Sequence, residues 1–335
     1  MNADDFSELR KKTAALPREI RPPRDLWPEI KAGVERLDPK ALPSAERPRL
    51  LNRHWFPFAA AAAVAVAALV LWPRADRSGP AWAVDAVAGT PRLGARPLTG
   101  AGEWRVGQWL ETDASSRARF DVGAIGEVRL EPNSRLRLLS AASDNHRLEL
   151  ARGTMSALIW APPRLFFVET PSATAVDLGC AYTLSVDDAG AGTLHVTSGY
   201  VALEHGDRES IIPAGQMCLT RPGAGPGTPF AADAPAALRA ALERFDFQAG
   251  GATALATVLE HTGENDRVTL WHLLSRAPAA QRGAVFDRLA AFSPPPGAVT
   301  RGGILAGDAM MRRAWADELG LVPSGLKLTE TFRKK

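Results

Sequence analysis

From Trp55 to Trp72 the chain runs for eighteen residues without a charge, WFPFAAAAAVAVAALVLW. As an α-helix this run is about 27 Å long, close to the hydrocarbon thickness of a bilayer. It constrains the chain more than any other stretch, because backbone placed in lipid must satisfy its own hydrogen bonds, and a helix does so within one segment. Trp55 and Trp72 stand where amphipathic rings favour the membrane interface. Pro57 falls in the first turn, where a missing N–H costs little. Two other arrangements compete. A helix buried in a soluble core usually carries polar punctuation, which this run lacks. A cleaved signal peptide suits the alanines, and Ala81-Trp82-Ala83 has a small-x-small form, but 54 residues precede the run where a signal has a short basic start. The expectation carried forward is one transmembrane helix at 55–72. Insertion is marginal, since eight of the residues from Ala59 to Ala68 are alanine.

Flanking charge sets the orientation. Arg36, Lys40, Arg47, Arg49 and Arg53 lie before the run, against Arg74, Arg77 and Arg92 after it. Positive charge favours the cytoplasmic side, which puts the N-terminus inside and a large C-terminal piece outside, in the periplasm of a cell that has one. The net charge of +3 is spread among acidic residues with no basic, aromatic-studded stripe, so the composition gives no support to nucleic-acid binding.

Residues 1–54 are too few for a sizeable core. Within them, RPPRDLWPEIKAGVERL carries an N-cap at Asp25 and an apolar stripe of Leu26, Trp27, Ile30, Val34 and Leu37 at helical spacing. DPKALPSAERPR then reads as a proline-broken linker. Such a stripe either docks onto a cytoplasmic protein through Leu26, Trp27, Ile30 and Val34, or closes a helical hairpin with Phe6 and Leu9. No His-x-x-x-Cys-x-x-Cys cluster is present, which excludes a zinc-binding anti-sigma module.

Between residues 82 and 220 the period changes to two. VRLEP, SRLRLL, HRLELA, YTLSVD, TLHVTS and YVALEHG alternate apolar and polar and are separated by turn residues, which predicts an all-β sandwich, barrel or roll. LELARGTMSAL (148–158) and LHVTSGYVALE (194–204) share the form Leu-x-apolar-x-x-Gly-x-apolar. Upstream, DVGAIGEVRL and DLGCAYTLSV share Asp-apolar-Gly. Gly153 and Gly199 are expected at positive φ or against a neighbouring backbone.

The ordered series Pro132-Asn133-Ser134, Thr170-Pro171, Gly179 through Tyr182 to Leu184, and Val196 through Gly199 to Leu203 resembles the periplasmic domain of the iron-dicitrate sensor (FecR) family. The resemblance implies a short cytoplasmic segment, one span and an outer β domain. It also implies a signalling role: an anti-sigma-like regulator whose tail holds an extracytoplasmic-function (ECF) sigma factor, and whose β domain receives an envelope or outer-membrane protein. The chain departs from the family in its short tail with a single tryptophan, Trp27, and in Cys180, where the family usually carries threonine.

Cys180 and Cys218 both fall in the outer piece, where thiols of one domain usually pair, so a disulfide is expected, against two small buried hydrophobes. His195 and His205 fall on successive strands without a carboxylate partner, which argues for surface positions over a metal site. No nucleophile elbow, P-loop or dinucleotide fingerprint occurs, so neither an enzyme nor a cofactor is expected. RPGAGPGTPF places a linker at 221–233. Residues 234–322 then read as helices whose apolar faces include Leu238, Leu242, Leu255, Val258, Leu270, Leu274, Val285 and Leu289. These either cap the β domain or bind a protein. A flexible basic tail closes the chain at 323–335.

Overall fold

A computed structural model describes residues 81–321. The tail 1–54, the 55–72 run and the tail 323–335 lie outside the described residues. Among the described residues, no helix is long and apolar enough to cross a membrane.

Among the described residues, eighteen strands come first and helices follow. The strands are β1 (Ala81–Ala88), β2 (Arg92–Leu93), β3 (Arg96–Pro97), β4 (Ala101–Arg105), β5 (Trp109–Glu111), β6 (Arg117–Asp121), β7 (Gly126–Leu130), β8 (Arg135–Ala142) and β9 (Asn145–Ile159). They continue with β10 (Phe166–Glu169), β11 (Thr174–Asp177), β12 (Ala181–Val186), β13 (Gly192–Ser198), β14 (Tyr200–His205), β15 (Arg208–Pro213), β16 (Gln216–Arg221), β17 (Gly225–Pro226) and β18 (Phe230–Ala231). Two sheets form. The first runs β4-β1-β6-β7-β9-β12-β13-β16, with β17 and β18 beyond β16. The second runs β3-β2-β5-β8-β9-β10-β11-β14-β15. Pairing is antiparallel apart from β9 with β10. The all-β expectation therefore holds, in the form of a two-sheet sandwich.

The long strand β9 belongs to both sheets. Its first half pairs with β8 and β10, its second half with β7 and β12. Side chains along a strand alternate in direction, so crossing from one sheet to the other requires the inward parity to change. It does: His146, Leu148 and Leu150 are buried before the corner, Met155, Ala157 and Ile159 after it. The slip occurs at Gly153, with φ +91°. The second copy of the sequence echo does the same in two strands. Leu194 and Val196 are buried in β13, Val201 and Leu203 in β14, and Gly199 between them has φ +70°. Both glycines thus meet the expectation of positive φ.

The inner faces share one core. At its N-terminal end Trp82, Trp104, Phe120 and His146 cluster, with Trp104 and Phe120 edge to face at 4.9 Å and Trp82 stacked on Phe120 at 5.8 Å. Each such ring removed from water contributes about 1.5–3 kcal/mol.

The stretch 221–233, expected to be a linker, instead contributes β17 and β18. Positive φ at Gly223 and Gly225 turns the chain back onto β16, and Thr228, Phe230 and Ala231 are buried. Helices follow: α1 (Ala236–Phe247), α2 (Gly251–His261), α3 (Arg267–Arg276), α4 (Ala279–Phe292), α5 (Arg301–Ala306) and α6 (Ala309–Glu318). Their apolar faces enclose a second core that includes Leu238, Leu255, Leu270, Val285, Leu289 and Trp315, with Met217 and Leu219 of β16 packed against it. Helix α5 begins within the proline- and glycine-rich stretch SPPPGAVTRGG that follows α4. Thr300 starts it by accepting from the Gly303 N–H, and Gly307 at φ +84° ends it.

Candidate functional site

The motif residues build the sheet corners. Ser134 packs against Gly153 so closely that a Cβ on that glycine would stand 2.3 Å from the Ser134 Cα. The Thr154 N–H donates to Ser134 Oγ at 2.9 Å, and the Ser134 N–H donates to Thr112 Oγ1 at 2.9 Å. At the other corner a Cβ on Gly199 would lie 2.0 Å from the Gly179 carbonyl oxygen. Thr170 closes its own turn, donating to the Ala173 carbonyl at 2.7 Å, and the neighbouring Ser172 hydroxyl meets Thr220 Oγ1 at 2.6 Å. Close backbone approach thus explains Ser134 and the two Gly-centred motifs, and a turn hydrogen bond explains Thr170.

The expected disulfide is not formed: Cys180 and Cys218 are free and buried. Topology gives the reason. Leu184 of β12 faces Leu194 of β13, which faces Cys218 of β16, while Cys180 precedes β12. Two strand spacings and four residues of rise put the cysteines roughly 16 Å apart, whereas a disulfide needs Cα atoms within about 7 Å. Cys180 donates its thiol hydrogen to Asp177 Oδ2, and Cys218 donates to the Gly227 carbonyl at 3.1 Å. Burial raises both thiols, Cys218 to about 12, so neither is poised as a thiolate. Asp177 is 1% exposed and accepts from the Gly179 N–H at 2.7 Å as well as from Cys180. Burial raises its pKa to about 6 despite those two donors.

The two histidines separate, His195 on the first sheet and His205 on the second, because the chain changes sheet between them. Among the described residues no group of His, Cys, Asp and Glu is placed to hold a metal. Leu26, Trp27, Ile30 and Val34 lie outside the described residues.

A buried polar assembly lies where the helices meet the edge of the second sheet. Strand β15 is that edge, pairing with β14 alone in the sheet. An open edge presents unpaired N–H and C=O groups. Here α3 covers them with side chains. The Ile211 N–H donates to His272 Nε2 at 3.0 Å, and Arg276 Nη2 donates to the Glu209 carbonyl at 3.1 Å. His272 and Arg276 are four residues apart and so share one helix face. His272 Nδ1 donates to the Val268 carbonyl at 2.9 Å, which makes the ring neutral. Burial, then the nearby Arg276, lower its pKa to about 3. Asp246 of α1, almost fully buried, takes Arg208 at 2.7 Å and stands 3.6 Å from Arg276. It also accepts from the Thr228 N–H at 2.6 Å.

A cleft of about 990 Å³ opens beside this assembly, between β15 and helices α3 and α6. Trp271, Ile211 and Met310 give it apolar walls, while Arg208, Arg312 and Arg313 line it with guanidinium groups. Met310 is 74% exposed. Burial, followed by Glu204, raises the Glu209 carboxyl in the same cleft. From the sequence Trp271 and Met310 read only as apolar helix-face positions, and the charged members were not singled out because they are spread over β15, α1, α3 and α6.

Comparison with known proteins locates the sandwich. The model of the FecR protein family matches residues 108–202, which bears out the resemblance over that stretch. No curated protein matches. Among solved structures, two crystal structures of a candidate anti-sigma factor from Parabacteroides distasonis, at 1.65 and 2.50 Å resolution, are similar at 14% identity and TM-score 0.33. The similarity covers 40% of this chain and 63% and 62% of those chains, less than two thirds of their length.

Proposed function

We propose that this chain, which carries the FecR region at residues 108–202, is a non-enzymatic, single-span regulator of the inner membrane. The run 55–72 crosses the bilayer, the two-sheet sandwich lies in the periplasm, and residues 1–54 face the cytoplasm. The sandwich receives a signal from an envelope or outer-membrane protein. The tail, anchored by Leu26, Trp27, Ile30 and Val34, holds or releases an ECF sigma factor. The observation that carries this reading is the FecR match on a sandwich whose first strand begins at Ala81, shortly after an uncharged eighteen-residue run.

The test uses the full chain in its native membrane. Affinity capture recovers an ECF sigma factor from the wild type and loses it on Trp27→Ala, with a matching change in transcription of the target gene. Capture of no sigma factor by the wild type overturns the reading. A second reading, an envelope-anchored binding module with no transcriptional role, is favoured by the cleft at the strand–helix junction. Under it, Trp27→Ala leaves transcription level.

A further inference from the structure

We propose that the cleft between β15 and helices α3 and α6 binds a small amphipathic anion, its carboxylate or phosphate head on Arg312 and Arg313 and its apolar body against Trp271 and Met310. The inference stands independently of the regulatory reading.

Unspent donors point to the charge of the ligand. Arg276 is fully engaged by Thr228, Ser210, the Glu209 carbonyl and Asp246. Arg312 and Arg313, by contrast, form no side-chain hydrogen bond or ion pair among the described residues. Arg312 faces the Trp271 ring, 5.9 Å from its centroid, and the Glu209 carboxyl favours its charge from within the same cleft. Arg208 gives one amino group to Asp246, while its Nε is buried without a partner. Guanidinium groups with free forks recognise carboxylate and phosphate oxygens by paired hydrogen bonds. Burial and then the neighbouring Arg282 disfavour the Arg312 charge, and Glu209 in the same cleft opposes them in part, so an arriving anion adds to a partial compensation.

The shape points to a small molecule. Clefts of about 300–1,000 Å³ suit drug-sized ligands, and this one holds about 990 Å³. A peptide docking by strand addition needs a free sheet edge. The outward Ile211 N–H and Glu209 carbonyl of β15 are already taken by His272 and Arg276. The exposed Met310 beside the half-buried Trp271 offers an adaptable apolar surface at the mouth.

Three probes with one apolar body separate the heads: 4-phenylbutanoate, 4-phenylbutyl phosphate and 4-phenylbutanol. Each is titrated calorimetrically into the full chain in zwitterionic lipid nanodiscs, with empty nanodiscs subtracted. At least one anion binds saturably with a Kd at or below about 1 mM, about tenfold tighter than the alcohol. The better anion identifies the natural head. Arg312→Gln with Arg313→Gln weakens anion binding about tenfold and leaves the alcohol unchanged. Met310→Glu, at a position too exposed to affect folding, weakens the anions by placing a like charge at the mouth. Arg119→Gln, on the outer face of the first sheet, changes nothing. Absence of saturable anion binding, equal binding of the alcohol, or anion affinity unmoved by Met310→Glu overturns the proposal.

Discussion

Replacing Gly199 by alanine separates two costs that a corner glycine carries. The first is conformational: at φ +70° an L-residue is disfavoured by about 1–2 kcal/mol. The second is steric. The new Cβ would stand 2.0 Å from the Gly179 carbonyl oxygen and 3.0 Å from the Cys180 Cα, both backbone, so no side-chain rotation relieves it. Gly179 cannot retreat freely, because its N–H is held by Asp177. Relief therefore shifts the corner where the chain changes sheet, at about 1–3 kcal/mol more. Gly215 is the matched control: φ is +80°, and a Cβ there meets nothing within 4 Å. Gly215→Ala is expected to cost about 1–2 kcal/mol, offset by up to about 1 kcal/mol from a stiffer unfolded chain. The conformational terms cancel between the two, so Gly199→Ala should cost about 1–3 kcal/mol more than that, or about 2–12 °C in Tm for a unit of this size. Denaturant unfolding, followed by the near-ultraviolet circular dichroism of the tryptophan cluster, measures both variants. Equal losses would show that positive φ alone explains the glycine, and that close packing of the two corners plays no part.

Three further outcomes follow from buried groups. The Asp177 pKa is raised from 3.8 to about 6, so the folded state binds more protons than the unfolded between those values, and stability contributed by this group falls as pH rises through that window. Asp177→Asn should therefore gain up to about 3 kcal/mol on the wild type above pH 7, a gain that vanishes near pH 4 in parallel urea titrations; a gap independent of pH refutes this. His272→Ala removes the acceptor of the buried Ile211 N–H and should cost about 1–3 kcal/mol beyond the lost packing, while His272→Gln, which can still accept, recovers part of it in thermal melts. Both thiols should resist a disulfide-exchange reagent in the native chain and react once it is unfolded, with identical mobility on reducing and non-reducing gels; rapid native labelling of Cys180 would contradict its burial.

The sandwich was legible because its corners leave a trace in the residues. A parity slip produces Leu-x-Leu-x-x-Gly-x-Met in one copy and Leu-x-Val-x-x-Gly-x-Val in the other, and the glycine marks the slip. Ser134 and Gly179 were legible only through the FecR resemblance. Their role, to lie against the other strand's glycine, depends on contacts across about twenty residues that no local pattern records. The short strands β17 and β18 were missed because RPGAGPGTPF has the composition of a linker. Glycines at 223 and 225 give a tight turn as readily as a loose loop, and burial of Phe230 decides between them. The disulfide failed for a related reason. Compartment and cysteine number argue for pairing, but only the order β12-β13-β16 shows that a strand intervenes.

The strand–helix junction was illegible for a different reason. Arg208, Asp246 and Arg276 are residue types that normally face water, so each taken alone reads as surface. Their burial is made possible by mutual neutralisation and by the backbone of β15, which accepts from Arg276 and donates to His272. Removing one member of such a set leaves a charge in low dielectric, which is costlier than never having buried it. The cleft inherits this asymmetry. Asp246 pairs with Arg208 and Arg276 on the inner side, whereas on the outer side Glu209 favours the Arg312 charge without hydrogen-bonding it. A junction whose inner guanidinium groups share a buried carboxylate, and whose outer ones keep free donors, holds together without a ligand and still attracts an anion. Neutralising Arg312 and Arg313 should therefore abolish the attraction while leaving the thermal midpoint near that of the wild type.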